Sequence, residues 1–311
     1  MAAPATQMTK GKVIASTALR PSRSLWKDAW WQFRRHRLAM VSLGMLIFLI
    51  VFTLIGPLIY HTKIDVIDFT LSLKGPSSDH LLGTDDLGRD LLARLMFGGR
   101  ISIAVGIVSV LLAITLGTTI GATAGFFSRL DNPLMRLTDL FLSLPVLPLL
   151  LVIIYLFRDS LRATFGSELG IFLMIVGVIG VLNWMPVARL VRAQFLSLKQ
   201  KEFVEAARSV GAKNGRIIVR HILPNALSPI LVAATIGVGG AILTESTLSF
   251  LGLGFPSDVP TWGRILYDAR NYLDIAPHWA IFPGLLIFLT VLSINFIGDG
   301  LRDALDPRKT S

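Results

Sequence analysis

The chain has 311 residues, of which 53% are hydrophobic and only 16% are charged, yet 30 Lys and Arg against 20 Asp and Glu give a formal net charge of +10. Charged residues make up about 25% of an ordinary soluble domain, so this composition excludes a disordered chain and disfavours a soluble nucleic-acid-binding protein in spite of its basic balance. Cysteine is absent, which excludes disulfides, thiolate metal sites and a cysteine nucleophile.

Six long apolar runs occupy most of the sequence. An α-helix rises ~1.5 Å per residue, so about 20 apolar residues cross a hydrocarbon core about 30 Å thick. A soluble helix needs a polar face, and these runs have none. The sequence therefore predicts an all-α integral membrane protein with six transmembrane helices, at 38–60, 101–127, 134–157, 169–188, 223–255 and 278–297.

The distribution of Lys and Arg predicts the orientation of the chain. Six crossings put both termini on one side, and the segments on that side hold 21 Lys and Arg residues against nine on the other. Cytoplasmic segments carry such an excess, so we expect both termini to be cytoplasmic. The basic segments are 1–37, 128–136, 189–222 and 298–311, and the opposite side holds 61–100, 158–168 and 256–277.

These expectations divide the chain into five parts. They are a cytoplasmic tail at 1–37, a first transmembrane helix at 38–60, a periplasmic segment at 61–100, a five-helix core at 101–300 that includes the cytoplasmic loop 189–222, and a cytoplasmic tail at 301–311. Residues 1–24 are small, polar and basic, and carry no pattern that assigns them a role.

Small residues and prolines predict how the helices pack and bend. Small residues four apart stack on one helix face and allow a neighbouring backbone to approach closely, although glycine is common in membrane helices in any case. Two such rows are Gly117, Gly121 and Gly125 in the second run, and Ala233, Gly237 and Ala241 in the fifth. Proline removes a backbone donor, so we expect kinks at Pro145, Pro148 and Pro186.

The loop 189–222 predicts a helical hairpin. Its residues 201–210 have the spacing of a short amphipathic helix, and Gly211 is a natural stop just past the helix end. A second short helix is expected at 212–222, with Pro224 opening the next membrane span. The predicted apolar face comprises Phe203, Ala206, Ala207 and Val210. Such a hairpin is either a docking element for a cytosolic partner or a solvated surface feature.

The residues of this hairpin resemble the "EAA" loop of the permease subunits of bacterial ATP-binding-cassette (ABC) importers. The matching positions are Glu205, Ala206, Ala207, Gly211, Leu223 and Pro224, all at the spacing of the family pattern. One position departs, because His221 stands where the pattern has Ile. The resemblance implies that the loop inserts into a groove of a cytosolic ATPase, that Glu205 makes a polar contact there, and that Gly211 permits the bend.

Three further regions resemble the "C-type" permease of dipeptide, oligopeptide and nickel importers, and with the loop they cover most of the chain from about residue 25 onward. They are 80–90, 248–263 and 298–307. The resemblance implies a type I ABC importer permease core in the bacterial inner membrane that moves these substrates by alternating access. It also implies a sister permease, two cytosolic ATPase subunits, a periplasmic binding protein and surrounding membrane lipid as partners.

The resemblance also implies that this chain is not an enzyme and holds no cofactor, because ATP would be bound by the partner ATPases. The sequence agrees, since it contains no Gly-rich phosphate loop of the ATPase type and no His pair at helical spacing for a metal. Substrate identity stays open, because selectivity in this class is expected to reside in the binding protein.

Several acidic residues allow two interpretations. Asp85, Asp86 and Asp90 either form a calcium loop or supply negative charge to a helix N-terminus, and the short spacing favours the second. Glu245, the one acid well inside a span, is either a candidate pathway residue or a structural hydrogen-bond acceptor. For Asp139 we expect an ion pair with Arg136, three residues earlier on the same helix.

The segment 258–276 is too polar to span a membrane and predicts an amphipathic helix on the outer face. Its apolar residues are Trp262, Ile265, Leu266 and Tyr272. They form either a contact for a binding protein or a lid on the helix bundle.

Two alternative functions would need charged or catalytic residues within the membrane spans, and the sequence has few of them. An ion-coupled secondary transporter requires intramembrane charges, and only Glu245 lies deep enough. An intramembrane enzyme requires a Ser/His or paired-Asp constellation within the spans, and none is found.

Overall fold

The structure is a computed structural model that describes residues 25–305. Within that range it is built of helices and their connections, without extended strands. The helices are α1 (Leu25–Arg35), α2 (Arg37–Ile59), α3 (Leu91–Phe126), α4 (Ser128–Ser143), α5 (Val146–Phe165), α6 (Ser167–Leu182), α7 (Trp184–Leu198), α8 (Glu202–Ser209), α9 (Asn214–Phe250), α10 (Trp262–Ala269) and α11 (Pro277–Leu305), with single 3₁₀ turns at Phe69–Leu71 and Arg270–Tyr272.

Six membrane crossings follow from these helices. Four of them, α2, α3, α9 and α11, are each long and apolar enough to cross a bilayer. The pairs α4/α5 and α6/α7 also have the composition of a span, but they are bent by 85° and 40° at their junctions. Counted as one broken span each, they complete the six predicted spans and confirm the all-α membrane fold.

Some helix bounds differ from the expected ones. α3 begins at Leu91, ten residues before the apolar run, because the carboxylate of Asp90 accepts a hydrogen bond from the Ala93 amide at 2.8 Å and caps the helix there. At the other end of the chain, α11 continues to Leu305. The structure also contains α1, which the apolar runs did not predict because its residues are amphipathic.

Pro145 breaks the third span, as expected. A residue before proline is displaced from the helical region, and Leu144 is accordingly extended, with φ −77° and ψ 140°. α4 and α5 therefore meet at 85° instead of forming one straight helix. The expected kink at Pro148 is wrong, because this residue lies in the first turn of α5, where its missing N–H has no partner to lose.

The break in the fourth span falls at Asn183, slightly before the expected position at Pro186. Proline cannot donate to the carbonyl four residues earlier, and its ring crowds that carbonyl. The carbonyl four residues before Pro186 is that of Leu182, so α6 ends at Leu182. The Asn183 side chain donates to the Ile179 carbonyl at 2.7 Å, which satisfies one acceptor at the end of α6.

The glycine row of α3 lies directly against α7. A Cβ atom added at any of these three glycines would lie within 2.4–2.6 Å of an α7 atom, which is too close for any real side chain. The α7 residues met are Val187 for Gly117, Ala188 for Gly121 and Phe195 for Gly125. This confirms the packing role of the first row. The second row is less closely packed, because a Cβ at Gly237 would lie 3.3 Å from the Val110 side chain, a tight contact but longer than those of the first row.

Replacing Gly121 by Ala should therefore force α3 away from the backbone of α7. Overpacking of this kind costs about 1–3 kcal/mol, so we expect a clear fall in the thermal unfolding midpoint of the detergent-solubilised protein. Gly44→Ala is the matched control, since a Cβ at this α2 position meets nothing within 4 Å. Equal unfolding midpoints for the two variants would contradict the close contact.

Candidate functional site

The turn between α8 and α9 is built around Gly211. The amide of Ala212 donates to the Ala207 carbonyl at 3.0 Å, and that of Gly211 donates to the Arg208 carbonyl at 2.9 Å. These two bonds form a Schellman motif, which requires a left-handed residue just past the helix end. Gly211 has a φ of +79° and supplies it. The predicted stop at this glycine is confirmed.

The buried face of α8 is not the one that the sequence pattern indicated. Val204 and Ala207 are buried in a cluster with α7 and α9, whereas Phe203 and Val210 are 39% and 83% exposed and Ala206 is also exposed. Both sets of residues have helical spacing, and the contact with α7 selects the smaller one. An apolar strip is therefore left uncovered on the outside of the hairpin.

Glu205 lies beside this exposed strip. Glu205 is exposed in the first turn of α8, and among residues 25–305 its carboxylate has no hydrogen-bond or ion-pair partner. We name the surface formed by Phe203, Glu205, Ala206 and Val210 the hairpin tip. It combines exposed apolar area with one negative charge, which makes it a candidate docking surface.

The second arm of the hairpin is continuous with the membrane span. α9 runs from Asn214 to Phe250, so the expected separate helix at 212–222 is wrong. The regular α-helical part of the span begins at Leu223, with Pro224 in its first turn, which confirms the expected start. The continuity is possible because the turn Ile217–Ile222 is π-helical, and the Leu223 amide bonds to the Ile218 carbonyl five residues back. Such a turn re-pairs the backbone around a proline without ending the helix.

The departure from the EAA pattern at His221 has a structural explanation. Ile222 is fully buried in the cluster beneath the hairpin, whereas His221 is only half-buried. The apolar side chain that fills the core here is therefore one residue later. The His221 carbonyl accepts a hydrogen bond from the Asn225 side chain at 2.7 Å.

The base of the hairpin is fastened to the bundle by charged groups. Lys199, at the end of α7, donates to the Phe126 carbonyl at 2.6 Å. Arg192 of α7 forms a two-pronged ion pair with Asp131 of α4, in which the Nη2–Oδ2 distance is 2.7 Å. Together with the cluster under Val204, these contacts make the hairpin a rigid extension of α7 and α9.

A cavity of about 470 Å³ lies between α3, α6, α7 and α9. Its lining is mostly apolar and includes the second small-residue row, Ala233, Gly237 and Ala241. Its polar groups are Ser109, Asn183 and Thr244, and the Ser109 hydroxyl has no hydrogen-bond partner among the described residues. Sequence reasoning missed these three residues, because they come from different helices and carry no local pattern.

Glu245 does not line this cavity. Its carboxylate is fully buried, accepts a hydrogen bond from Ser249 at 2.8 Å, and lies 3.4 Å from the Ser102 hydroxyl of α3. Ser102 in turn accepts from the Trp262 amide at 3.3 Å. The geometry thus favours the structural interpretation of Glu245, since it links α9, α3 and α10.

The acidic residues before α3 serve the helix start and two arginines. Asp90 caps α3, and Asp85 pairs with Arg89 at 2.6 Å and with Arg94 at 3.5 Å, all four being buried. Burial raises the pKa of Asp86, and the neighbouring Asp85 charge raises it further. No cluster of three or more metal-ligating side chains occurs between residues 25 and 305, and the helix-start interpretation accounts for these acids.

Arginines from several elements hold the connection between α9 and α10. Arg94 of α3 and Arg158 of α5 donate to the carbonyls of Ser257 and Gly254, each at 3.1 Å. Weaker bonds of 3.5 Å come from Arg89 and from Arg264 of α10, to Ser257 and Phe255. This outer connection is therefore tied to three different helices.

Helix α10 packs onto the bundle. Trp262 and Ile265 are fully buried, and the Trp262 indole donates to the Leu95 carbonyl at 2.9 Å. This agrees with the lid interpretation of its apolar residues. The ion pair expected between Asp139 and Arg136 is wrong: Asp139 pairs instead with Arg189 of α7, a contact between distant segments.

Comparison with known families identifies the class of protein. The profile described as the inner membrane component of binding-protein-dependent transport systems matches residues 94–311, and that of the N-terminal transmembrane domain of oligopeptide transport permease C matches residues 24–76. The chain belongs to the family of inner membrane components of binding-protein-dependent transport systems. It is thus a multi-pass transport permease.

Several curated relatives match nearly the whole chain. A dipeptide transport system permease, DppC of Alkalihalophilus pseudofirmus, is 40% identical and covers 93% of this chain and 91% of its own. OppC, an oligopeptide transport permease of Haemophilus influenzae, is 40% identical over 92% of this chain and 89% of its own. GsiD, a glutathione transport permease of Pectobacterium atrosepticum, is 40% identical over 93% of both chains.

A solved structure supports the fold. The inward-facing MetNI methionine ABC transporter aligns with a TM-score of 0.55 and 21% identity, over 70% of this chain and 96% of that chain. The shared arrangement is that of a type I ABC importer permease, and it confirms the fold expected from the sequence.

The buried ion network before α3 makes a quantitative prediction. Asp85→Asn removes the charge that both Arg89 and Arg94 face, and an uncompensated buried charge costs about 3–5 kcal/mol. The matched control is Asp139→Asn in the exposed pair with Arg189, which should cost at most about 1 kcal/mol. Thermal unfolding in detergent checks both, and a larger loss for Asp139→Asn would contradict the assignment.

Proposed function

We propose that this chain is the permease subunit of an ATP-driven importer of short peptides, and that the hairpin tip couples it to separate ATPase subunits. The observation that carries the proposal is the uncovered apolar strip beside Glu205 on a hairpin fixed to two core helices. A side chain as large as Val210, left 83% exposed on a rigid projection, is accounted for by a partner surface that covers it.

Short peptides are the substrate class that the relatives favour. The names of these relatives refer to dipeptide, oligopeptide and glutathione transport. All three substrates are peptides of small size. The mostly apolar cavity with a few hydroxyl and amide groups suits passage of such molecules, because it provides polar contacts without a strong binding charge.

Movement at the hairpin tip would reach the cavity through two routes. Val204 and Ala207 pack against α7, and α9 is continuous from the hairpin into the membrane. Both helices line the cavity. The breaks at Asn183 and at the π-helical turn Ile217–Ile222 give these helices places to bend, as expected of an alternating-access transporter.

The partners are the ones that this mechanism requires. Two ATPase subunits would bind and hydrolyse ATP, a sister permease would complete the pathway beside the cavity, and a periplasmic binding protein would deliver the substrate. In this arrangement Glu245 is a positioning residue that holds α9 to α3. The ion-coupled alternative would need this carboxylate on the pathway, and its serine partners are consistent with the structural role instead.

The orientation follows from the excess of Lys and Arg in the terminal and hairpin segments, which we assign to the cytoplasm. Since the chain has no cysteine, single cysteines can report on each side. In intact cells whose outer membrane is permeabilised, a membrane-impermeant thiol reagent should label Ser78→Cys but not Ser128→Cys or Asn214→Cys. Labelling of the last two alone would refute the orientation.

Charge placed on the hairpin tip should uncouple the permease. Val210→Asp puts a carboxylate into the apolar strip, and its burial against a partner is costly. We expect loss of co-purification of the ATPase subunits and at least about a tenfold fall in peptide uptake, equivalent to about 1.4 kcal/mol of binding. Insertion in the membrane should be unchanged.

Val66→Asp is the matched control, because it adds the same charge at an exposed valine in the segment between α2 and α3. It should leave ATPase association and uptake intact. Normal association and uptake in Val210→Asp would contradict the coupling role of the hairpin tip.

A further inference from the structure

Helix α1 lies outside the transport machinery and has its own position at the edge of the bundle. His36 separates it from α2, because its Nδ1 accepts a hydrogen bond from the Ala39 amide at 3.1 Å and caps the new helix. Ala29 and Phe33 are buried, and Phe33 packs with Ala39 and Ala304. This contact holds α1 against the start of α2 and the end of α11.

Two large aromatic residues of α1 stay half exposed, and one of them, Trp30, stacks on Phe33 with the ring centroids 6.0 Å apart. Trp30 and Trp31 are 52% and 53% exposed. The adjoining span α2 is exposed along its apolar length from Leu38 onward, as expected of a helix that faces lipid. Because α2 begins at Arg37, α1 lies at the level where the hydrocarbon core meets the headgroups, which is where tryptophan side chains are enriched.

α1 and the first residue of α2 concentrate positive charge. Lys27, Arg34, Arg35 and Arg37 are exposed, and Arg35 lies over the Trp31 ring, with its guanidinium carbon 3.2 Å from the ring centroid. By sequence, residues 25–37 carry a net charge of +3 and residues 299–305 at the end of α11 carry a net charge of −1, so the two segments together are net positive by two.

An apolar groove adjoins these charges. It has a volume of about 260 Å³ and runs between α1, α2 and α11. Its walls include Trp30, Phe33, Leu43, Ile297 and Leu301. An apolar groove beside exposed arginines at the membrane boundary fits a molecule with a hydrocarbon chain and an anionic head.

We propose that the α1 surface, formed by Trp30, Trp31, Arg34 and Arg35 and the adjoining groove, is a binding site for anionic phospholipid of the surrounding bilayer. The charge complementarity and the continuity with the lipid-facing side of α2 favour a lipid over a protein occupant. Each arginine near an anionic surface contributes about fivefold to the affinity. The site does not depend on what the permease transports.

The absence of native cysteine allows a direct test on the full chain in its purified complex. Gln32→Cys, labelled with a fluorophore, is reconstituted in nanodiscs of phosphatidylcholine that contain an equal fraction of either brominated phosphatidylglycerol or brominated phosphatidylcholine. Bromine quenches the fluorophore on contact. We expect several-fold stronger quenching by the brominated phosphatidylglycerol.

Substitutions then test whether the arginines of the α1 surface cause the preference for the anionic lipid. The pair Arg34→Gln and Arg35→Gln should abolish it, whereas Arg129→Gln and Arg136→Gln, which remove two exposed charges from the α4 segment, should leave it intact. Equal quenching by both lipids in the parent protein would overturn the proposal. It would also be overturned if the Arg34 and Arg35 substitutions released an ATPase subunit while the lipid preference stayed unchanged, because the surface would then be a protein contact.

Discussion

Backbone contact between α3 and α7 sets the position of everything around the cavity. Three glycines on one face of α3 let the α7 backbone approach to a distance that no Cβ atom would tolerate. Helices surrounded by lipid gain no hydrophobic free energy when they associate, because the lipid tails are apolar too. Close packing of this kind is therefore a main contribution to their association. Because α7 carries the hairpin at one end and a cavity wall along its side, this contact also fixes both functional surfaces.

The contact between α3 and α7 also determines how rigidly the hairpin is held to the bundle. Lys199 and Arg192 fasten its base to α3 and α4, and Val204 anchors α8 in the same cluster as α7. A force applied at the tip is therefore transmitted to the bundle instead of being absorbed by a flexible loop. The continuity of α9 through its π-helical turn provides a second rigid arm, and the two arms meet at the cavity.

The sequence predicted most of the architecture, because the signals for it are local. Long apolar runs specify spans, residues four apart specify a helix face, and Gly211 specifies a helix end. The errors concern choices that tertiary contacts make. Two apolar faces of α8 share helical spacing, and only the packing of Val204 distinguishes them; Asp139 has a neighbour at i−3, but its partner is Arg189, 50 residues away.

The candidate site was predicted less completely than the fold. The hairpin residues share one segment and could be recognised, whereas the polar groups of the cavity come from separate helices. Ser109, Asn183 and Thr244 meet only through the α3–α7 contact and the bend at Asn183. α1 was missed for another reason: its signal is amphipathic, and a search for apolar runs does not register it.

The central claim is that the hairpin tip contacts an ATPase subunit. A thiol- and amine-reactive cross-linker attached to Val210→Cys in this otherwise cysteine-free chain tests it most directly, with Val66→Cys as the reference position. We expect Val210→Cys to capture an ATPase subunit in membranes, with a yield that changes when nucleotide is added. Capture of no ATPase from Val210→Cys, or equal capture from Val66→Cys, would contradict it.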